Sequence, residues 1–196
     1  MVSAMTLSSQ DKNILFGLAR RTIETVFEGR DSDRIDIDES LLPDTLKVKR
    51  GVFVTLYRNH EIRGCVGYVL PLMPLWRAAA INARNAAFRD LSFPPLREVE
   101  YAGVSIEISV LSEPVKMLDL RKFRLGTHGL IIRKGTRCAL TLPQVPSING
   151  WDTSEILQHL CEKVGIESGG WKQADTVEIF QAEVISEDDP GSAGYG

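Results

Sequence analysis

Near the start of the chain, apolar residues recur three and four positions apart: Ile14, Leu15, Leu18, Ala19, Ile23, Val26 and Phe27, with Thr22 among them. That spacing puts them on one wide stripe and predicts a helix over residues 10–28. Ser8 is placed to cap it, Asp11 stands near its positive end, and Gly29 is a stop signal. The polar, proline-containing stretch that follows, over residues 30–46, reads as a connecting loop.

The period then changes to two. "GVFVTLYRNHEIRGCVGYVL" reads as a β-hairpin with Val52, Val54 and Leu56 on one face and a turn near Arg58–Glu61. Strict alternation in its second strand puts Ile62, Gly64, Val66 and Tyr68 on one face, and Arg63, Cys65, Gly67 and Val69 on the other. "PLWRAAAINARNAAF" reads as a helix opened by Pro74, its alanines implying close packing on a sheet. Val104, Ile106, Ile108 and Val110 alternate as a strand, and residues 113–128 read as irregular. "GLIIRKGTRCALTL" reads as a second hairpin turning near Lys134–Gly135, followed by the loop PQVPSINGW. Asp152 and Glu155 have capping-box spacing before a third helix that Gly165 ends, and "TVEIFQAEVI" reads as one last strand.

Strands joined by tight turns imply antiparallel pairing. The expected class is therefore α+β: a mainly antiparallel sheet flanked by helices, with a larger and a smaller lobe in one compact unit. The domain spans residues 10–187, between a flexible arm over 1–9 and a disordered tail over 188–196.

Composition narrows the function classes. Of 196 residues, 43% are hydrophobic and 25% charged, enough to build a core without staples. The net charge of −3 gives no global attraction to nucleic acid or to an anionic membrane. No basic, apolar leader and no membrane-length apolar run is present, so a cytoplasmic location is expected. Cys65, Cys138 and Cys161 are widely spaced, without zinc-type spacing, which argues against a disulfide framework and against a metal site. No GxGxxG, Walker, HExxH or GxSxG motif occurs, which weakens the common nucleotide, metalloprotease and serine-hydrolase readings and leaves the cofactor unknown.

Cys65 is the first candidate for chemistry. On the predicted face it lies beside Arg63, whose charge would hold a nucleophilic thiolate at low pKa, while Gly64 and Gly67 leave room for a ligand. The bland alternative is a small apolar residue in a strand. Cys138, in line with Leu140 and Leu142, and Cys161, with Leu157 and Val164, read as core. His128 in "GTHG" is a candidate proton carrier, or else a turn residue with a local hydrogen bond. His60 and His159 read as solvated. Arg84, Asn85 and Asp90 close the alanine-rich helix as a supporting polar group or an exposed face. From Lys116 to Arg137, seven Lys or Arg stand against the single acid Asp119, a candidate anion-binding stretch; without an aromatic-rich strand, nucleic acid is not the expected partner.

"GVFVTL", "IRGCVG", "AAFRDLSFPP", "VSIEISVLSEP", "GTHGLIIRKG", "LTLPQV", Trp151 and Trp171 follow one another in this order, and with them the chain resembles the AMMECR family. The prokaryotic form of that family is called AmmeMemoRadiSam system protein A. The resemblance covers about residues 10–186, and IRGCVG looks like the family hallmark Leu-Arg-Gly-Cys-Ile-Gly. It implies an α+β fold of two lobes and a functional site at Arg63, Gly64, Cys65 and Gly67. It also implies association with a Memo-like protein and a radical S-adenosylmethionine enzyme. Many members carry an arginine before Phe-Pro-Pro; this chain has Ser92 there, and an anion-binding role of that arginine is either lost here or moved to Arg89.

Two functions follow as expectations. One is a thiol-dependent enzyme or enzyme subunit acting on a small anion, with Cys65 and His128 catalytic and Arg63, Gly64, Gly67 and Asp90 binding the ligand. The other is a non-catalytic binding or scaffold module for the Memo-like or radical enzyme.

Overall fold

The computed structural model describes residues 6–30 and 35–188. In chain order its elements begin α1 (Ser9–Phe27), α2 (Asp44–Lys47), β1 (Gly51–Arg58), β2 (Glu61–Tyr68), α3 (Leu75–Phe88), α4 (Glu98–Tyr101) and β3 (Val104–Leu111). They continue with β4 (Val115–Lys116), β5 (Gly129–Lys134), β6 (Arg137–Thr141), α5 (Val145–Asn149), α6 (Thr153–Val164), β7 (Thr176–Phe180) and β8 (Ala182–Ser186).

The class is α+β, but the strands form two four-stranded sheets, ordered β2-β1-β3-β8 and β4-β7-β5-β6. The chain divides into two compact units: a larger one up to Leu111, resumed from Glu183, and a smaller one over residues 112–182.

In the larger unit, β1 pairs antiparallel with both β2 and β3. Val52, Val54, Leu56, Ile106 and Ile108 point to the helical side of this sheet and are fully buried with Leu15, Ala19 and Ile23 of α1 and the alanines of α3. Small side chains on α3 let its backbone approach the sheet closely, and truncating a large residue here, such as Leu15 to Ala, costs about 2–5 kcal/mol. The capping box at Ser8 and Asp11 forms. Leu7 is buried and its amide donates to the Glu183 carboxylate; of the expected flexible arm, residues 1–5 lie outside the described residues.

In the smaller unit, α6 packs Ile156, Leu160, Cys161 and Val164 onto Leu130 and Ile132 of β5 and Ala139 of β6. Its capping box at Asp152 and its Gly165 stop form as expected. Cys138 corrects the reading from alternation. The buried members of β6 are Ala139 and Thr141, because α6 covers that face, and Cys138 on the opposite face is exposed.

The single last strand expected over residues 176–185 is two strands, β7 and β8, in different sheets. At the break, Gln181 exchanges bonds with Ser112: its carbonyl accepts the Ser112 amide and its amide donates to Ser112 Oγ, both at 2.9 Å. The segments expected as loops contain the short helices α2 and α5 and the strand β4, elements too brief for a periodic signal. The expected disordered tail lies, from residue 189 on, outside the described residues. No described helix is long and apolar enough to cross a membrane.

Candidate functional site around the IRGCVG strand

β2 is the edge strand of its sheet. Thr55 opposes Cys65 and Leu56 opposes Gly64, but the next pair is Tyr57 with Ile62. Arg63 is therefore the extra residue of a β-bulge, and a bulge re-aims the side chains beside it. Arg63 donates to the carbonyls of Pro94 (2.9 Å) and Pro95 (3.3 Å) and to Glu100 Oε2 (3.3 Å). Cys65 faces elsewhere: its Sγ accepts from Thr55 Oγ1 at 3.3 Å, and Thr55 is on the face opposite to Val54 and Leu56. The expected alignment of Arg63 beside Cys65 is overturned, because strict alternation takes no account of the extra residue.

The environment of Cys65 follows from this. Burial pushes its thiol up, the Thr55 hydrogen bond pulls it down, and the charges of Asp90 and Glu107 push it up again; the net shift is upward. Arg63 spends its charge on Glu100, so the low-pKa thiolate expected from the Arg63 charge is overturned as well. Glu100 is buried and gathers Arg58 (3.2 Å), Arg63 (3.3 Å) and Arg97 (3.1 Å), with the Arg97 amide also donating at 3.1 Å. Hydrogen bonds from the Arg97 side chain and backbone, then from Arg63, draw its carboxyl down to about 2.

The glycines of the motif do not open space for a ligand. A Cβ on Gly64 would stand 2.1 Å from Ala86 O on α3, and one on Gly67 would stand 2.4 Å from Val52 O. Both positions are filled by the protein's own backbone, and only glycine permits that approach. Asp90 does join the motif. Its Oδ2 accepts the Cys65 amide at 2.8 Å and its Oδ1 accepts the Ser92 amide at 2.8 Å. Ser92, where many family members carry arginine, is thus part of a turn closed by Asp90. Arg84, which the sequence left between a supporting and an exposed role, is fully buried.

His128 belongs to the smaller unit and Cys65 to the larger. His128 is buried, and its Nδ1 accepts the Arg124 amide at 3.1 Å. Burial and the Arg124 charge lower its pKa, against a backbone hydrogen bond with Lys122. These bonds close the turn over residues 124–128, the local role that the flanking glycines allow. Part of the basic stretch is neutralised, with Arg121 paired to Asp119, Arg133 to Glu178 and Lys134 to Asp175. Among the described residues no group of three or more His, Cys, Asp or Glu side chains could hold a metal ion.

The sequence reading missed Glu100, Thr55 and the Pro94 and Pro95 carbonyls. Arg97 and Glu100, three apart at the start of the short helix α4, carried the one available signal.

What results is a clamp. The motif strand and Asp90 hold the segment 90–100 against the open edge of β2, and its apolar residues Leu91 and Val99 are exposed. Known proteins share this chain. Protein MK0488 of Methanopyrus kandleri is 39% identical over 94% of this chain and 92% of its own length. A protein of Aquifex aeolicus is 38% identical over 90% of this chain and 92% of its own length. The crystal structure of Uncharacterized Protein PH0010 from Pyrococcus horikoshii superposes with a TM-score of 0.81 at 36% identity, covering 91% of this chain and 92% of that one. The AMMECR1 family profile matches residues 16–185, and the chain belongs to the AMMECR1 family.

Proposed function

We propose that the protein is a non-catalytic binding module that presents the segment 90–100 to a partner protein. One observation carries this reading: the polar groups of the motif are spent inside the protein. Arg63 is engaged by two carbonyls and a carboxylate, and Asp90 by two backbone amides. A guanidinium so committed is a poor anchor for a free anion, and a thiol shifted upward is a poor nucleophile at neutral pH. The same bonds order a loop whose Leu91 and Val99 are fully or largely exposed, with Ile62 half exposed. Ordering a contact loop before binding lowers the entropy lost on association. The partners implied by the family resemblance are the Memo-like protein and the radical S-adenosylmethionine enzyme.

The test is direct binding of the full chain to each purified partner, measured by calorimetry. Leu91→Asp with Val99→Lys abolishes binding on this reading, whereas Cys65→Ser leaves it unchanged. The reading fails if neither partner binds, or if the loop variant binds as the wild type does.

Thr55 favours a second reading, thiol chemistry at Cys65 on a small anionic substrate. A hydroxyl donating to Sγ stabilises a thiolate, and Cys65 is partly accessible. That reading requires Cys65→Ser to lose function while the Leu91 and Val99 variant keeps it.

A further inference from the structure

The smaller unit carries a cleft that the reading above does not use. β4 meets β7 through Val115 and Lys116, and the Met117 amide donates to Val177 O at 2.8 Å. Beyond that bond the chain leaves β7, and a one-turn 3-10 helix, Trp171–Gln173, precedes the start of β7. Between them opens a cleft of about 340 Å³, lined in part by Lys116, Leu118, Trp171, Lys172 and Thr176. That volume is at the lower end of the range of small-molecule sites.

Three features of the lining address one kind of ligand. Trp171 packs against the core with part of its surface and lines the cleft as well. Lys116 and Lys172 are exposed and form no ion pair among the described residues, while the one acid of the lining, Asp175, is held by the Gly135 amide at 2.7 Å and by Lys134 at 3.5 Å. The uncompensated charge of the cleft is therefore positive. Thr176 Oγ1 is shielded from solvent and makes no hydrogen bond with any described residue. The Lys172 Nζ lies over the Trp171 ring, 5.8 Å from its centroid, so a cation and an indole stand side by side in the lining.

A wholly apolar occupant would desolvate two ammonium groups and a hydroxyl without compensation. An inorganic anion would leave the indole and the exposed Leu118 uncovered. We propose that the cleft binds a planar aromatic acid, its ring against Trp171 and its carboxylate or phosphate drawn to Lys116 and Lys172.

Calorimetric titration of the full chain with adenosine monophosphate and with naphthoate tests this and separates the phosphate from the carboxylate form. Adenosine, naphthalenemethanol and inorganic phosphate are the controls. At least one acid binds saturably, at least tenfold more tightly than its neutral counterpart and than phosphate. Its affinity falls three- to tenfold or more when Lys116→Ala and Lys172→Ala are combined, and falls with added salt. In proton–nitrogen correlation spectra the indole N–H of Trp171 shifts, while those of Trp76 and Trp151 stay in place. Trp171→Leu abolishes binding; should that variant fail to fold, the lysine variant, altered only at exposed side chains, carries the test alone. Absence of binding by both acids, equal binding of phosphate, or binding untouched by the lysine variant overturns the proposal.

Discussion

Asp90 holds the backbone amide of Cys65, its Oδ2 accepting that N–H at 2.8 Å, and so occupies the open edge of β2. An edge amide left free would be a template for pairing with another strand. Here a carboxylate from the loop after α3 takes the place of a strand.

This relationship makes Asp90→Ala costly. Loss of a charge-assisted acceptor for two amides destabilises the fold by about 1–3 kcal/mol. Hydrogen exchange of the Cys65 amide speeds up, while Asp90→Asn, which keeps one acceptor oxygen, loses less. Unchanged exchange at Cys65 in Asp90→Ala would show that the bond protects nothing.

Thiol reactivity is the second expected outcome. Cys138 is exposed, Cys65 partly so, and Cys161 buried. With an alkylating probe read by mass spectrometry, Cys138 labels first and Cys161 only on unfolding. Cys65 labels slowly, with a midpoint above the free-thiol value of about 8.5, because burial and the Asp90 and Glu107 charges oppose its thiolate. A midpoint near neutrality would contradict this environment and revive thiol catalysis.

Glycine substitutions divide sharply by position. Gly64→Ala puts a methyl into Ala86 O, and Gly67→Ala puts one into Val52 O, contacts that backbone cannot yield to cheaply. Each lowers stability by about 1–3 kcal/mol or more in denaturant titration. Gly17→Ala in α1 meets nothing within 4 Å and raises stability by about 0.5–1 kcal/mol. A response at Gly64 no larger than that at Gly17 would refute the close approach of α3 to β2.

Acid stability tests the arginine cluster. The carboxyl of Glu100 is drawn down to about 2 from its ordinary 4.5. A carboxyl depressed by folding contributes stability that is complete above the unfolded value and is lost as pH falls through the folded one. Urea midpoints should thus fall between about pH 4.5 and pH 2, and Glu100→Gln should be less stable at neutral pH with a flatter acid limb. Parallel limbs for the two proteins would remove Glu100 from the account.

Much of this was legible in the residue pattern wherever a local rule governs. The helices α1 and α6 begin at Ser8 and Asp152 because an oxygen there meets an orphan amide three residues on. The hairpin turn at Asn59 and His60 falls where it was expected, with both residues at positive φ. The alanines of α3 and Gly64 of β2 were both visible, and they describe one contact from its two sides.

The residues themselves thus determined the class, the main helices and hairpins, and membership of the family through IRGCVG and its ordered companions, since periodicity and capping act within a few residues. Only the tertiary structure decided which groups the motif engages. The bulge at Arg63 depends on the register with β1, the turn at Asp90 docks on an edge 25 residues away, and Glu100 collects Arg58 and Arg63 from two distant strands. Such long-range pairings are chosen by which charges and amides would otherwise be buried unpaired, and the one-dimensional pattern carries no record of that competition.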